Sequence, residues 1–404
     1  MNNRAQAGLF ASIFAILAAA AALREAYAAF ITALLALTGL GTAYLWQHRV
    51  FRKLTVERSL SQTTVPWGRT VEYRLQVINR KLLPVFGMEI KDEVPTAVQF
   101  VQADRVVKVR GLPRAVLRDT MTVMWYERRT RRYLFTAERR GLYEFGPGSL
   151  TSRDPFGLFP QEAEAVLEPC RLVVLPKIVP LVGAEALDTA LFGTRPREGW
   201  IFTDPLHKAG TRPYQRGDSA RKINWKASAR HLQLQVDVEK PAFDEEIELI
   251  LLQPDRARWW EQNAANRLEL AIMLAASLVN RYGSFGQKFR LHTNLASSRS
   301  LSSSVPGNTL IQLALLQNFS LREGEKVLLE LGRRLQNAGR VVVITAGEEI
   351  PASWVLPLRR LSQAHSLVLI HVGGGEGQFR LAGIRQFQVD GEVKWDEASQ
   401  FDLR

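Results

Sequence analysis

Residues 340–372 read RVVVITAGEEIPASWVLPLRRLSQAHSLVLIHV. A β-branched run, Arg340–Thr345, leads through the helix-like stretch Pro351–Ala364 to a second apolar run, Ser366–Val372. Short apolar runs on either side of a helical stretch predict strand, helix, strand. A crossover of that length returns the chain to start a second strand in the same direction, so the two strands are expected to be parallel. The alternation extends upstream, with Ile247–Leu252 and Gln287–His292 as strands and Ala264–Tyr282, Leu310–Phe319 and Val327–Ala338 as helices. Residues 245–404 are therefore expected to form an α/β domain, a mainly parallel sheet covered by helices on both faces.

Residues 54–178 follow a different rule. Val71, Tyr73, Leu75 and Val77 alternate with Thr70, Glu72, Arg74 and Gln76, the period of a half-buried strand. Similar runs recur at Gln99–Val109, Thr120–Tyr126, Tyr133–Glu138 and Arg171–Leu175, separated by turn signals such as Pro66-Trp67-Gly68 and Gly146-Pro147-Gly148. Many short strands without helical periodicity predict an antiparallel β-sandwich. Arginines at 128, 129, 131, 132, 139 and 140 are read as solvated strand faces beside an anionic membrane, in preference to a base-reading surface.

The amino end is apolar. Ala5–Leu23 reads AQAGLFASIFAILAAAAAL, which as a helix spans about 28 Å, close to the ~30 Å hydrocarbon layer. Arg24-Glu25 interrupts it, and Ala26–Trp46 forms a second run. A connection this short leaves only a two-helix hairpin. Arg4 and the small-x-small sequence Ala26-Tyr27-Ala28 also fit a cleaved signal peptide, but the second run follows at once and would stay in the membrane. Arg4 before the hairpin and Arg49, Arg52 and Lys53 after it place both termini, and the bulk of the chain, on the cytoplasmic side. Residues 1–53 are thus expected to be a two-pass cell-membrane anchor, in contact with lipid.

Of 404 residues, 46% are hydrophobic and 23% charged, which excludes wholesale disorder. The lone Cys170 excludes an intramolecular disulfide framework, and the six histidines are scattered. A net charge of +13 points to an acidic partner, an anionic membrane surface or nucleic acid without choosing among them.

Residues 179–244 are read as a connector that holds the densest motif in the chain. Between Lys208 and Arg230 there are seven Lys or Arg and one acid, Asp218. Asp218 follows Gly217 and precedes a helix-like run, as a helix N-cap would. Leu232, Leu234, Val236 and Val238 then alternate with Gln233, Gln235, Asp237 and Glu239, as a strand. Two readings of the motif stay open. Structurally, Trp225 and Ile223 would pack while Arg216 and Arg230 pair with carboxylates between domains. Functionally, the cations would dock an acidic partner.

Three features resemble the bacterial and archaeal proteins grouped as the Domain of Unknown Function 58 family. They are the apolar hairpin before a β-rich segment, Arg140-Gly-Leu-Tyr-Glu-Phe-Gly-Pro147 leading to Asp154-Pro-Phe-Gly-Leu-Phe159, and the motif itself. In the motif, Arg212, Tyr214, Arg216, Gly217 and Asp218 are followed by Arg221, Asn224, Trp225, Lys226 and Arg230. The resemblance implies a C-terminal von Willebrand A-like, Rossmann-type domain. It also implies a MoxR-type AAA+ ATPase as partner, with a transglutaminase-like membrane protein in some cases.

A von Willebrand A domain often holds a divalent metal through an Asp-x-Ser-x-Ser loop, a Thr and a later Asp. Here Gln253, Asp255 and Ala257 stand at the loop positions, and Thr345, Ala346 and Gly347 follow the later strand. Magnesium needs hard oxygen ligands that these residues largely lack, so no metal and no other cofactor is expected. Gly373-Gly-Gly-Glu-Gly377 lacks the Gly-Lys-Ser/Thr end of a phosphate loop. Glu245, Glu246 and Glu248 are read as solvated rather than as paired catalytic acids, and Cys170 as a small buried side chain without a base. The expectation is a non-catalytic interaction protein. The alternative is a membrane-tethered nucleic-acid binder using the same cations, with Trp225 as a stacking platform.

Overall fold

The computed structural model describes residues 3–108, 114–152, 160–165, 168–192, 203–215, 218, 220, 223–241, 246–254, 262–284, 286–297, 305–320, 322–335, 339–373, 381 and 383–403. The chain divides into two compact units, Met1–Val174 and Leu175–Arg404.

The first unit opens with helices Asn3–Leu23 and Tyr27–Arg49. One is long and apolar enough to cross a membrane, over Tyr27–Trp46, and only 11% of that window is buried; the apolar part of the other, Gly8–Leu23, is shorter. Leu9, Ile16, Ile31 and Leu35 lie on the outside. Large apolar side chains turned outward are what a helix in lipid presents, and the opposite of a helix in a water-soluble core.

A β-rich body follows. Strands Leu54–Leu60, Thr70–Asn79, Arg128–Ala137 and Val98–Phe100 form one antiparallel sheet. Strands Gln161–Ala165, Gly148–Ser152, Val85–Pro95, Arg114–Val123 and Val106–Lys108 form another. Both line a single core: Val71, Tyr73, Leu75 and Val77 from one, Met88, Ile90, Leu117 and Met121 from the other. The alternation at Thr70–Asn79 thus puts its apolar side inward, as the sequence requires.

Strand Val85–Pro95 carried no clear sequence signal, because the inward series Met88, Ile90, Asp92, Val94 contains an acid. Asp92 is buried and bonded to Arg58 at 2.8 Å. The expected strand at Gln99–Val109 instead breaks at the short 3-10 turn Ala103–Arg105.

The second unit is built on five parallel strands. Ile247–Leu252 lies between Phe289–Thr293 and Arg340–Ala346, followed outward by Ser366–Gly373 and Arg385–Asp390. Successive residues serve opposite faces. Leu249, Leu251, Val342 and Ile344 meet helix Gln262–Gly283 in one core, while Ile250, Leu252, Val341 and Val343 meet helices Gly324–Arg334 and Ala352–Ala364 in another. This is a doubly wound sheet with the first strand inside, flanked by the second and third.

Two local readings change. The helix expected over Leu310–Phe319 is Pro306–Leu315, after which Leu316–Ser320 is a strand paired with Leu295–Ser297. The connector contains helix Ala184–Phe192, whose Leu187 and Leu191 are buried in the α/β core.

Candidate functional site

The central motif folds as a compact strand–helix unit. Strand Thr203–Pro213 pairs antiparallel with Gln235–Pro241, setting Arg212 opposite Val236 and Pro213 opposite Gln235. Beyond Pro213, the Asp218 N–H donates to the Gln215 carbonyl at 3.0 Å. Arg212 donates to both Asp218 carboxylate oxygens at 2.7 and 2.6 Å, and the Gln215 N–H donates to the same carboxylate at 2.8 Å. Two parallel charge-assisted bonds fix both distance and orientation, so this pair closes the loop.

Asp218 is therefore not the cap of the motif's helix. That role falls to Asn224, whose extended backbone precedes helix Trp225–His231 and whose Oδ1 accepts the Ala227 N–H at 2.9 Å. One turn on, the Ser228 hydroxyl donates to the Asn224 carbonyl and accepts the Gln235 N–H, both at 2.8 Å. The Asn224 N–H in turn donates to the Gln235 carbonyl at 2.8 Å. Asn224 and Ser228 together lash the helix to the strand. Leu232 ends the helix in a left-handed conformation (φ 53), so the strand expected from Leu232 begins at Gln235.

This arrangement sorts the motif into two groups. Arg212, Asp218, Asn224 and Ser228 build the unit. Trp225 is 69% exposed, Leu232 90%, Leu234 47% and Tyr214 38%, with Lys226, Arg230 and His231 exposed beside them. Trp225 is thus not the packing residue that the structural reading required: the helix is bonded to the strand through Asn224 and Ser228, and the indole at its first position is exposed. Arg216, Gly217 and Arg221 lie outside the described residues, as do Asp255, Ala257 and Glu245.

Glu248 departs from its expectation. It is buried, accepting from Arg290 at 3.4 Å and sharing a 2.6 Å hydrogen bond with His292; Glu246 pairs with Arg290 at 2.6 Å. A carboxylate inside an apolar strand persists only with such partners.

At the carboxyl edge of the sheet, Gln253 is buried and its backbone is held by Asn294, at 3.1 Å to its N–H and 2.7 Å to its carbonyl. The Thr345 hydroxyl bonds His371 Nδ1 at 2.9 Å. Burial lowers the His371 pKa from the ordinary 6.5, which the backbone contact to Glu348 opposes. Among the described residues no three His, Cys, Asp or Glu side chains converge as a metal site.

The β-rich unit holds a buried polar cluster that sequence reasoning missed. The Arg58 guanidinium contacts Asp92 at 2.8 Å and the Glu168 carbonyl at 2.7 Å, and the Tyr73 hydroxyl donates to Asp92. Burial pushes the Asp92 carboxyl up, opposed by its bonds to Tyr73 and Arg58. Gly146 of the Arg140–Pro147 segment has φ +99, and a Cβ there would fall 2.3 Å from the Arg58 guanidinium. Only glycine admits both that backbone and that neighbour. Cys170 opens the Cys170–Val174 strand half-buried, and burial raises its thiol pKa.

The molecule is thus an apolar helical segment joined to a β-rich body, with a parallel α/β unit that carries an exposed aromatic and cationic motif. Residues 210–376 match the family model described as "Protein of unknown function DUF58". No curated protein matches the chain. Among solved structures, the CARDB domain of a Pyrococcus furiosus protein is similar at 14% identity, covering 30% of this chain and 87% of that one, with a TM-score of 0.21. A cohesin module from a Clostridium perfringens family 33 glycoside hydrolase is similar at 10% identity, covering 30% and 96%, with a TM-score of 0.22. Likenesses this slight say nothing about activity.

Proposed function

We propose that the chain is a non-catalytic, membrane-anchored interaction protein whose motif surface docks an acidic partner, a MoxR-type AAA+ ATPase, in assembling or maturing other proteins. In this reading both apolar helices cross the membrane as a hairpin, the termini and the soluble bulk face the cytoplasm, and the parallel unit is a von Willebrand A-like domain without a working metal site. A transglutaminase-like membrane protein is a further partner in the same reading.

The observation that carries it is the exposure of Trp225. A tryptophan 69% open to solvent, flanked by exposed Leu232, Leu234 and Tyr214 and by Lys226 and Arg230, has the make-up of an interface hot spot rather than of a packing element. The surrounding cations would steer an acidic surface onto it.

Incorporating a photo-crosslinking phenylalanine derivative at position 231, exposed beside Trp225 and leaving the indole in place, in the full chain in its native membrane, followed by mass spectrometry, tests the proposal. Recovery of an AAA+ ATPase from position 231, and not from exposed Val393, is the expected result. Repeated capture without any such ATPase removes the partner assignment.

A further inference from the structure

The end of the β-rich body that receives the second helix has an unusual surface. Trp46, the last residue of the apolar span, stacks on Phe86 with centroids 5.7 Å apart and planes 18° from parallel. Val50 and Phe51 pack into the β core, and the chain enters strand Leu54–Leu60 directly. Two loops meet it there. The Arg80 N–H donates to the Lys53 carbonyl at 3.0 Å, and the Tyr126 N–H donates to the Lys81 carbonyl at 3.2 Å. The Asn79 amide ties them together by donating to the carbonyls of Leu83 and Met124 at 2.9 and 2.8 Å. Segments 80–84 and 124–127 are therefore held beside the exit of the span.

Their side chains do not suit water. Leu82 is 74% exposed, Trp125 55% and Tyr126 69%. Arg49, Arg52, Lys53, Arg80 and Arg128 are exposed nearby, and the one acid of the two segments, Glu127, is occupied by the Met124 N–H at 2.5 Å. The Lys81 amine is turned inward, enclosed, and without a hydrogen-bond partner among the described residues. Burial lowers its pKa to about 8. Its stem can carry the amine outward to an anion, as long cationic side chains do at membrane surfaces. Tryptophan, tyrosine and leucine among cations is the composition of a bilayer's interfacial layer.

We propose that this end of the β-rich body is a lipid-binding surface. It seats on the anionic phospholipid headgroups of the same bilayer that the helix enters, with Leu82, Trp125 and Tyr126 in the interfacial layer and Arg80, Lys81 and Arg128 on phosphates. The proposal rests on the membrane-anchor reading. Lipid is favoured over a protein occupant because the surface is continuous with the span, and because its charge complements an anionic leaflet.

Hydrogen exchange of the full chain in nanodiscs tests it, comparing phosphatidylcholine alone with a mixture containing phosphatidylglycerol. Amides of 80–84 and 124–127 should exchange several-fold more slowly in the anionic discs, and R80E/K81E should lose that protection. Equal exchange in both lipids, with the amides of Tyr27–Trp46 still protected, overturns this proposal and leaves the anchor standing. Unprotected amides along Tyr27–Trp46 overturn both. If the double variant fails to fold, the comparison between lipids in the native chain decides alone.

Discussion

Removing the Asn224 side chain would leave the Ala227 N–H without its acceptor at the start of a helix only seven residues long. Asn224→Ala should therefore cost about 1 kcal/mol, read as a lower denaturation midpoint at unchanged slope. Trp225, the next residue, should behave in the opposite way. With its ring mostly in solvent, Trp225→Ala should shift stability by no more than about 0.5 kcal/mol while abolishing partner capture. A large fall in melting temperature would show that the indole packs after all. Trp354 supplies the contrast, being 1% exposed and set so close to Gly324 that a Cβ there would lie 2.3 Å from its ring. Trp354→Ala should cost about 3–5 kcal/mol by the same denaturation measurement. Asp92→Ala belongs with the severe changes for a different reason: it strands the Arg58 guanidinium, 2% exposed, without its counter-charge. About 3–5 kcal/mol is expected, and a near-neutral result would mean that water reaches the cluster.

At the scale of elements, what could be read from the sequence was whatever obeyed one periodicity without interruption. Thr70–Asn79 alternates cleanly and is a half-buried strand; Arg340–Ala346 and Ser366–Gly373 are continuous apolar runs and lie in the middle of a parallel sheet. Elements escaped where a buried polar group broke the pattern, as Asp92 does in Val85–Pro95, or where a local bond moved a boundary. Asn224, Ser228 and the left-handed Leu232 shift both ends of the motif's helix, and no spacing rule shows which of Asp218 and Asn224 is the cap. The motif's residues were visible as a set, but their division into builders and exposed groups depends on the Arg212–Asp218 pair, which a one-dimensional reading leaves open. The carboxyl edge of the parallel sheet gives a pH-dependent prediction. Burial lowers the His371 pKa, so the unfolded chain binds the proton more readily than the folded one. Its contribution to stability is present above the ordinary value of 6.5 and is lost as pH falls below it toward the lowered folded value. Denaturation of His371→Gln at several pH values should show a flatter acid-side slope than the parent; an unchanged slope would locate the titration elsewhere.

At the scale of the whole molecule, the family match and the folding unit do not begin at the same place. The match starts at residue 210, whereas the compact unit starts at Leu175. Of the intervening stretch, residues 175–192 are structural. Leu181–Val182 pairs in parallel with Phe401–Asp402, the Ser277 hydroxyl accepts the Val179 N–H at 3.0 Å, and Asp188 is bonded by Arg281 and Tyr282 at 2.8 and 2.6 Å. Val179, Leu187, Ala190 and Leu191 are buried in the same core as Leu249 and Val342. A fragment cut at the family boundary would expose that apolar surface and leave the Tyr282 hydroxyl without its acceptor. At roughly 1.5–3 kcal/mol for each large aliphatic side chain returned to water, losing Val179, Leu187 and Leu191 alone would remove much of a domain's net stability. Residues 175–404 expressed alone should therefore unfold cooperatively, whereas 210–404 should aggregate or melt without a sharp transition. Circular dichroism melting of the two fragments distinguishes these outcomes, and equal cooperativity in both would mean that the connector is dispensable to the α/β core.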